Sequence, residues 1–319
     1  MKNSILPALF FCCAFSLHAQ EDYGKIDTFA LSFKEPYTDA ADLARQLTKH
    51  YSTDREKARV IFAWIAYNIR YDYQKYKSPT PPPQISASTP QEFAKNMKTL
   101  QEKEIRTTLL IKRGVCADYS RLFQKMCESA GLESVTVTGT SSTRLDRNGK
   151  HAWNAVKFDG SWHLMDATWG AGFVETEDER FVRRFTPAFF ATPPSLFILN
   201  HFPADEKWQM LDKPLSKREF NKLPIVNFSN RDFPIEAFFP ENGKIVPTGG
   251  KAEIRLKFGK KPGAFIVSTG KSREIPAQVD ASDDGWVTLT FSPGNATEIT
   301  VYAGKHRNKT TMILQFSVD

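Results

Sequence analysis

Cysteine is scarce in this chain. Four occur in 319 residues, and two of them, Cys12 and Cys13, fall within the first twenty positions. Neither Cys-x-x-Cys nor His-Glu-x-x-His is present, so neither a cysteine-built structural zinc site nor zinc-protease chemistry of that pattern is supported. There is no long Lys/Arg block either. The 43 basic residues are scattered among 36 acidic ones, and the net charge of +7 describes a generic solvated surface better than a nucleic-acid groove. No stretch beyond the first twenty residues is apolar enough for a membrane span of about 20 residues. No cofactor, metal ion or nucleic acid is expected as a partner.

What is present begins with a leader. Met1-Lys2, the apolar run Ile5 to Leu17 and the close His18-Ala19-Gln20 before Glu21-Asp22 read as a secretory signal peptide over 1–20, cleaved after Ala19 or Gln20. Cys12 and Cys13 lie inside the apolar run rather than after a small-residue cleavage site, which argues against a lipid anchor. The mature protein is expected to be exported, periplasmic or secreted. At 41% hydrophobic and 13% aromatic content it has ample material for a core, and its length predicts two domains.

Cleavage would leave only Cys116 and Cys127, in a compartment where disulfides persist. On one helix, eleven residues apart, they would be separated by roughly 16 Å, far beyond the approximately 7 Å limit between bridged alpha carbons. They cannot pair with each other. A thiol left free under oxidising conditions favours a working role for Cys116, while Cys127, deeper in the apolar stripe, reads as core.

The segment Gly114-Val115-Cys116-Ala117-Asp118-Tyr119 leads a basic loop into a helix. Tyr119, Leu122, Phe123, Met126, Cys127 and Ala130 recur at helical spacing, and Gly131 stops them. Cys116 therefore falls in the first turn. Unpaired N–H groups and the positive end of the helix dipole there favour the thiolate, the nucleophilic form. Placement alone would also suit an ordinary packed cysteine.

The sequence from His151, HAWNAVKFDGSWHLMDATWG, supplies the second half of the argument. Asp159-Gly160 between two apolar-rich runs is a hairpin signal. A two-residue turn pairs Phe158 with Ser161, and counting back sets Trp153 opposite Asp166 and His151 opposite Thr168. His151 and Asp166 become diagonal neighbours on one face, roughly 7–8 Å apart, within reach of a carboxylate–imidazole bond. Cysteine, histidine and aspartate in this order match a thiol-activating triad: Cys116 as nucleophile, His151 as base, Asp166 as the group that orients the imidazole.

GVCADYSRLFQKMCESAGL, HAWNAV and GSWHLMDATWGAG together resemble the transglutaminase-like superfamily of papain-related thiol enzymes. The resemblance is nearest to the branch typified by the kyphoscoliosis peptidase, which also carries phrases similar to IFAWIAYNIRYDY at 61–73 and HFPADEKWQML at 201–211. It covers roughly residues 37–220 and implies the same roles for Cys116, His151 and Asp166. It also implies an α+β, papain/transglutaminase-like catalytic domain over 21–223.

Along that region, Thr38-Asp39 predicts a capped helix to about His50 with Leu43 and Leu47 inward. Thr53 with Glu56 predicts a capping box, followed by Ile61, Trp64, Ile65 and Asn68 on one face. Trp64, Tyr67, Tyr71 and Tyr73 read as core and cleft wall. Ser78 to Pro90 is proline-rich and excludes a helix or central strand; a loop over the cleft and a plain surface insertion both fit. Thr89, Pro90 and Glu92 open a helix over Phe93 to Leu100. Val135 to Thr140 alternates like a strand. The acidic run Glu175 to Glu179 lacks calcium-loop spacing and reads as a solvated loop.

Beyond Pro224, the runs Ala252 to Phe258, Ala264 to Ser268, Trp286 to Phe291, Glu298 to Ala303 and Thr311 to Val318 alternate between turns. They predict an all-β immunoglobulin-like sandwich over 224–319, with a binding or spacing role toward an envelope or surface protein.

The expected activity is exported amide-bond chemistry on a protein or peptide, through a thioester. Water as acceptor gives a peptidase or amidase, which is the preferred reading. A lysine amine gives a cross-linking transglutaminase, and a non-catalytic binding protein that retains the fold is the reading from another class. Peptide N-glycanase chemistry lacks its paired Cys-x-x-Cys motifs here, and arylamine acetyl transfer needs coenzyme A, which an exported protein would not meet.

Overall fold

A computed structural model describes residues 23–79, 81, 83–143, 148–175, 178–227, 233, 235–269 and 273–319. The signal-peptide reading lies outside these residues, as do Thr176 and Glu177 of the acidic run. No helix among the described residues is long and apolar enough to cross a membrane.

The helix Asp54–Asn68 is the axle of the N-terminal region. Thr53 caps it with the expected box: the Glu56 N–H donates to Thr53 Oγ1 at 3.2 Å, and the Thr53 N–H donates back to the Glu56 carboxylate at 3.2 Å. The sequence pattern predicted one apolar face, but every residue from Ala58 to Ala66 is buried. The helices Gly24–Ser32, Ala40–Thr48, Cys116–Ser129 and Ala167–Ala171 all pack around it. Arg59 sits inside this core at 2% exposure because Asp27 takes both arms of its guanidinium at 2.8 and 2.7 Å and the rings of Tyr23 and Phe190 cover its faces.

Asp39 caps Ala40–Thr48 by accepting the Asp42 N–H at 2.8 Å, and Leu43 and Leu47 are buried as expected. Thr89 caps the next long helix, which runs from Pro90 to Ile111, a further eleven residues beyond the predicted end at Leu100. Good helix formers fill that extension, and the helix ends only where Lys112 turns left-handed at φ 50. The described residues between Ser78 and Thr89 form no helix or strand.

A four-stranded antiparallel sheet in the order Ser161–Met165, Gly149–Phe158, Ser134–Ser141, His201–Pro203 packs against the Cys116–Ser129 helix. The hairpin register is the predicted one: Phe158 faces Ser161 across Asp159-Gly160, both at positive φ, and Asn154 faces Met165. The ladder then stops. The expected pairs Trp153–Asp166 and His151–Thr168 do not form, because Asp166 leaves the strand to cap the helix Ala167–Ala171.

The C-terminal region is sheet-rich. One sheet has the order Ile235–Phe239, Ala252–Phe258, Trp286–Phe291, Ala277–Ala281. The other runs Lys244–Ile245, Thr310–Val318, Glu298–Gly304, Ala264–Thr269, Glu274–Ile275, and the short strand Ile225–Val226 also pairs with Thr310–Val318. All five predicted runs are strands. Both sheets contribute to one apolar core that includes Ile254, Leu256, Leu289, Val301 and Leu314. Five further strands among the described residues escaped the pattern. Ala277–Ala281 shows why: its residues are mostly exposed, so no burial alternation marks it.

Candidate active site

Cys116 is the first residue of its helix. The loop ahead of it is clamped by Asp118, which is 2% exposed; its Oδ2 accepts the Val115 N–H at 2.8 Å and Lys75 Nζ at 2.6 Å, and its Oδ1 accepts from Arg121 at 3.0 Å. Glycine is required at 114, because a Cβ there would lie 2.6 Å from Asp118 Cβ. Gly114 also pairs in parallel with Tyr71, tying the end of the axle helix to the loop that carries the thiol.

His151, on the second strand of the sheet, hydrogen-bonds Asp166 Oδ2 through Nε2 at 2.7 Å. Its imidazole also interacts with Cys116, and the two shift each other's protonation. The structure therefore brings together all three residues singled out in the sequence, with Asp166 at a helix cap instead of a ladder position. The cap serves the site. Asp166 Oδ1 accepts the Thr168 and Trp169 N–H groups at 2.8 and 3.0 Å, so the carboxylate cannot rotate away from the imidazole.

The electrostatics follow from these contacts. Burial raises the affinity of Cys116 for its proton, but the hydrogen bond and charge of His151, with the Ala152 N–H, outweigh it, and the thiol titrates below its usual range. Burial opposes the charged form of His151, yet Asp166 and the sulfur raise it to about 10. Asp166 is fully buried, which favours its proton; His151 and His201 reverse this and hold it well below the usual carboxylate range. The arrangement can carry a thiolate–imidazolium pair.

His201 is the member that the sequence did not reveal. It donates through Nε2 to the same Asp166 oxygen at 3.0 Å and is 1% exposed. Burial lowers it to about 4 despite the pull of Asp166, so at neutral pH it is an uncharged donor. Its ring stacks on Phe197 at 3.9 Å and lies 4.5 Å from the ring of Trp169. The phrase HFPADEKWQML contained it, but nothing local marks a histidine that meets a carboxylate 35 residues earlier. The ligand atoms of His151, Asp166 and His201 lie within 4.8 Å of one another, a donor set that zinc can accept. Hydrogen bonds of 2.7 and 3.0 Å run directly between these atoms and account for the cluster as an array that holds protons.

Trp64 is core at 1% exposure, and Tyr67 stacks on Phe185 at 4.4 Å. Tyr71 and Tyr73 line a cleft of about 770 Å³ that also includes His151 and Trp169. Burial, then the charge of Cys116, push the Tyr71 hydroxyl well above its ordinary range, which keeps it a donor. Cys127 is fully buried, and burial pushes its thiol well up.

Fold and site define a transglutaminase-like protein with a His-Asp-His cluster. Residues 41–167 match the family model of the transglutaminase-like superfamily, and the chain carries a domain of that superfamily. It is similar to the kyphoscoliosis peptidase of Homo sapiens, with 31% identity over 246 residues, 74% of this chain and 34% of that one. The Mus musculus kyphoscoliosis peptidase is 30% identical over 240 residues, 73% of this chain and 33% of that one. Hillarin of Drosophila melanogaster is 26% identical over 250 residues, 70% of this chain and 27% of that one. The chain thus spans a third or less of the length of these relatives, to within a percentage point.

Proposed function

We propose that this protein is an exported cysteine peptidase or amidase that cleaves amide bonds in proteins or peptides. The observation that carries the reading is the anchored imidazole: Asp166 holds His151 at 2.7 Å, and the same imidazole lowers the thiol of Cys116 at a helix start. In the proposed reaction the Cys116 thiolate adds to the carbonyl carbon, and the His151 imidazolium protonates the departing amine. Water, deprotonated by the now neutral His151, then resolves the thioester. The Cys116 backbone N–H supplies one donor to the oxyanion. Tyr71 supplies the second: it is paired with Gly114, lines the cleft and keeps its proton beside the sulfur.

Hydrolysis is favoured over transfer to a lysine amine by the similarity to proteins named peptidases. Two domains meeting near Pro224, an immunoglobulin-like type for the second, and export directed by residues 1–20 complete the reading. The deciding experiment incubates wild type and Cys116→Ala with envelope proteins, a glutamine-bearing donor and a fluorescent amine. Cleavage that depends on Cys116 is expected. Cys116-dependent amine incorporation without cleavage would make the protein a cross-linking transglutaminase, and absence of both would leave a binding protein that retains the fold.

A further inference from the structure

The cleft that His151 and Tyr71 line is not built by the N-terminal region alone. Val226, Asn227 and Met312, all from the C-terminal side of Pro224, form part of its wall together with Tyr71, Tyr73 and Tyr76. Three consecutive residues fix that wall to the site. Leu199 belongs to the apolar core of the C-terminal sheets. Asn200, 4% exposed, donates through Nδ2 to the Ser142 carbonyl at 3.1 Å and the Val226 carbonyl at 3.2 Å, while its own carbonyl accepts the Ser142 N–H at 2.8 Å. His201 then bonds Asp166. On the far side, the Asn227 N–H donates to the Ile313 carbonyl at 2.9 Å, and Asn227 Nδ2 donates to the Met312 carbonyl at 2.9 Å.

The wall is apolar and aromatic where a substrate would lie. The rings of Tyr73 and Tyr76 stack at 5.9 Å, and Tyr76 and Phe173 remain 41% and 37% exposed on the same cleft. Clustered exposed aromatics of this kind mark binding surfaces. A single amide group would fill little of 770 Å³, so the cleft has room for several residues of a chain.

We infer that the substrate is a polypeptide segment with bulky apolar side chains flanking the reacting amide, held between the tyrosine wall and a rim that the C-terminal sheet contributes through Val226 and Met312. The C-terminal region is then a specificity element. This inference rests on the amide-directed reading of Cys116, and its test does not require turnover.

The full chain carrying Cys116→Ala is titrated with fluorescein-labelled, blocked hexapeptides centred on glutamine, flanked either by phenylalanine or by serine. The phenylalanine peptide is expected to bind about tenfold more tightly, since burying one such ring is worth that much or more. Adding Met312→Asp should weaken it at least about fivefold and leave the serine peptide unchanged. Equal binding of the two peptides, no binding of either, or indifference to Met312→Asp would overturn the inference. Separately, iodoacetamide should alkylate Cys116 at the same rate in otherwise wild-type protein and in Met312→Asp, because this small reagent does not need the rim. A changed rate would show that the substitution disturbs the site itself and would overturn the assignment of Met312 to the rim. An inert Cys116 in both proteins would sink the enzymatic reading while leaving the peptide titration interpretable.

Discussion

Cys116 and Cys127 share one helix and are both buried, yet the structure drives their thiols in opposite directions. Burial opposes ionisation at both ends. At Cys127 it prevails: the Ser134 hydroxyl opposes it only weakly, and the charge of Glu128 adds to it. At Cys116 an imidazole from another element, an Ala152 N–H and the helix start reverse it. Burial therefore does not decide whether a cysteine is inert; what decides is whether a cation can reach the sulfur inside the same dry space.

The most direct way to break the contrast is to remove that cation. His151→Ala should slow alkylation of Cys116 at pH 7 by about 100-fold or more and move the midpoint of its pH profile up toward an ordinary thiol near about 8.5. Cys127 should stay unlabelled in the folded protein, as read by peptide mass mapping. Undiminished labelling of Cys116 would mean that the helix start alone accounts for its reactivity.

Tyr71→Phe sharpens the comparison by separating thiolate formation from acyl transfer. Acylation by p-nitrophenyl acetate passes through an oxyanion, whereas iodoacetamide alkylation does not. Loss of the hydroxyl should cut acylation by about 100-fold and leave the alkylation rate and its pH profile in place. Equal losses in both reactions would assign Tyr71 to the thiolate rather than to the oxyanion.

His201→Phe keeps a ring to stack on Phe197 but removes a donor to a buried carboxylate, at a cost of about 2 kcal/mol in stability at pH 7. The pH dependence has a definite sign. An unfolded histidine takes up its proton near about 6.5, while folded His201 resists until about 4. Wild type therefore gains stability from this group above 6.5 and loses it as the pH falls from 6.5 to 4. The gap in Tm between wild type and His201→Phe should narrow across that window; a gap constant with pH would show that the ring is not held neutral.

Cys127→Ala completes the series with the smallest effect. Loss of one buried sulfur should cost about 1 kcal/mol in chemical denaturation and leave Cys116 alkylation unchanged. A fall in Cys116 reactivity would mean that the two ends of the helix are coupled.

Much of the fold was legible because its signals are local. The Thr53–Glu56 box, the Asp159-Gly160 turn and the Cys116 helix start each depend on residues within one turn of chain. Likewise, Ala252–Phe258 alternates because one face of it meets a core. The errors fall where a distant partner overrides local preference. The helix Asp54–Asn68 looked one-sided and is buried on every side because four other helices surround it. The hairpin count places Asp166 on the ladder, yet it caps a helix, since two backbone donors compete successfully for its oxygen.

By itself, the sequence determined the helix start that carries Cys116, the hairpin that carries His151 and the register that brings Asp166 to the right end of that hairpin. Tertiary structure alone decided that Asp166 would serve two histidines through one oxygen and that Leu199, Asn200 and His201 would join the C-terminal core to that oxygen. It also placed Met312 on the cleft. The reason is physical: hydrogen-bond reach and turn chemistry act over a few residues and leave a mark in the order of the chain. The sharing of a buried carboxylate depends on which side chains close packing leaves beside it, and no short stretch of sequence records that.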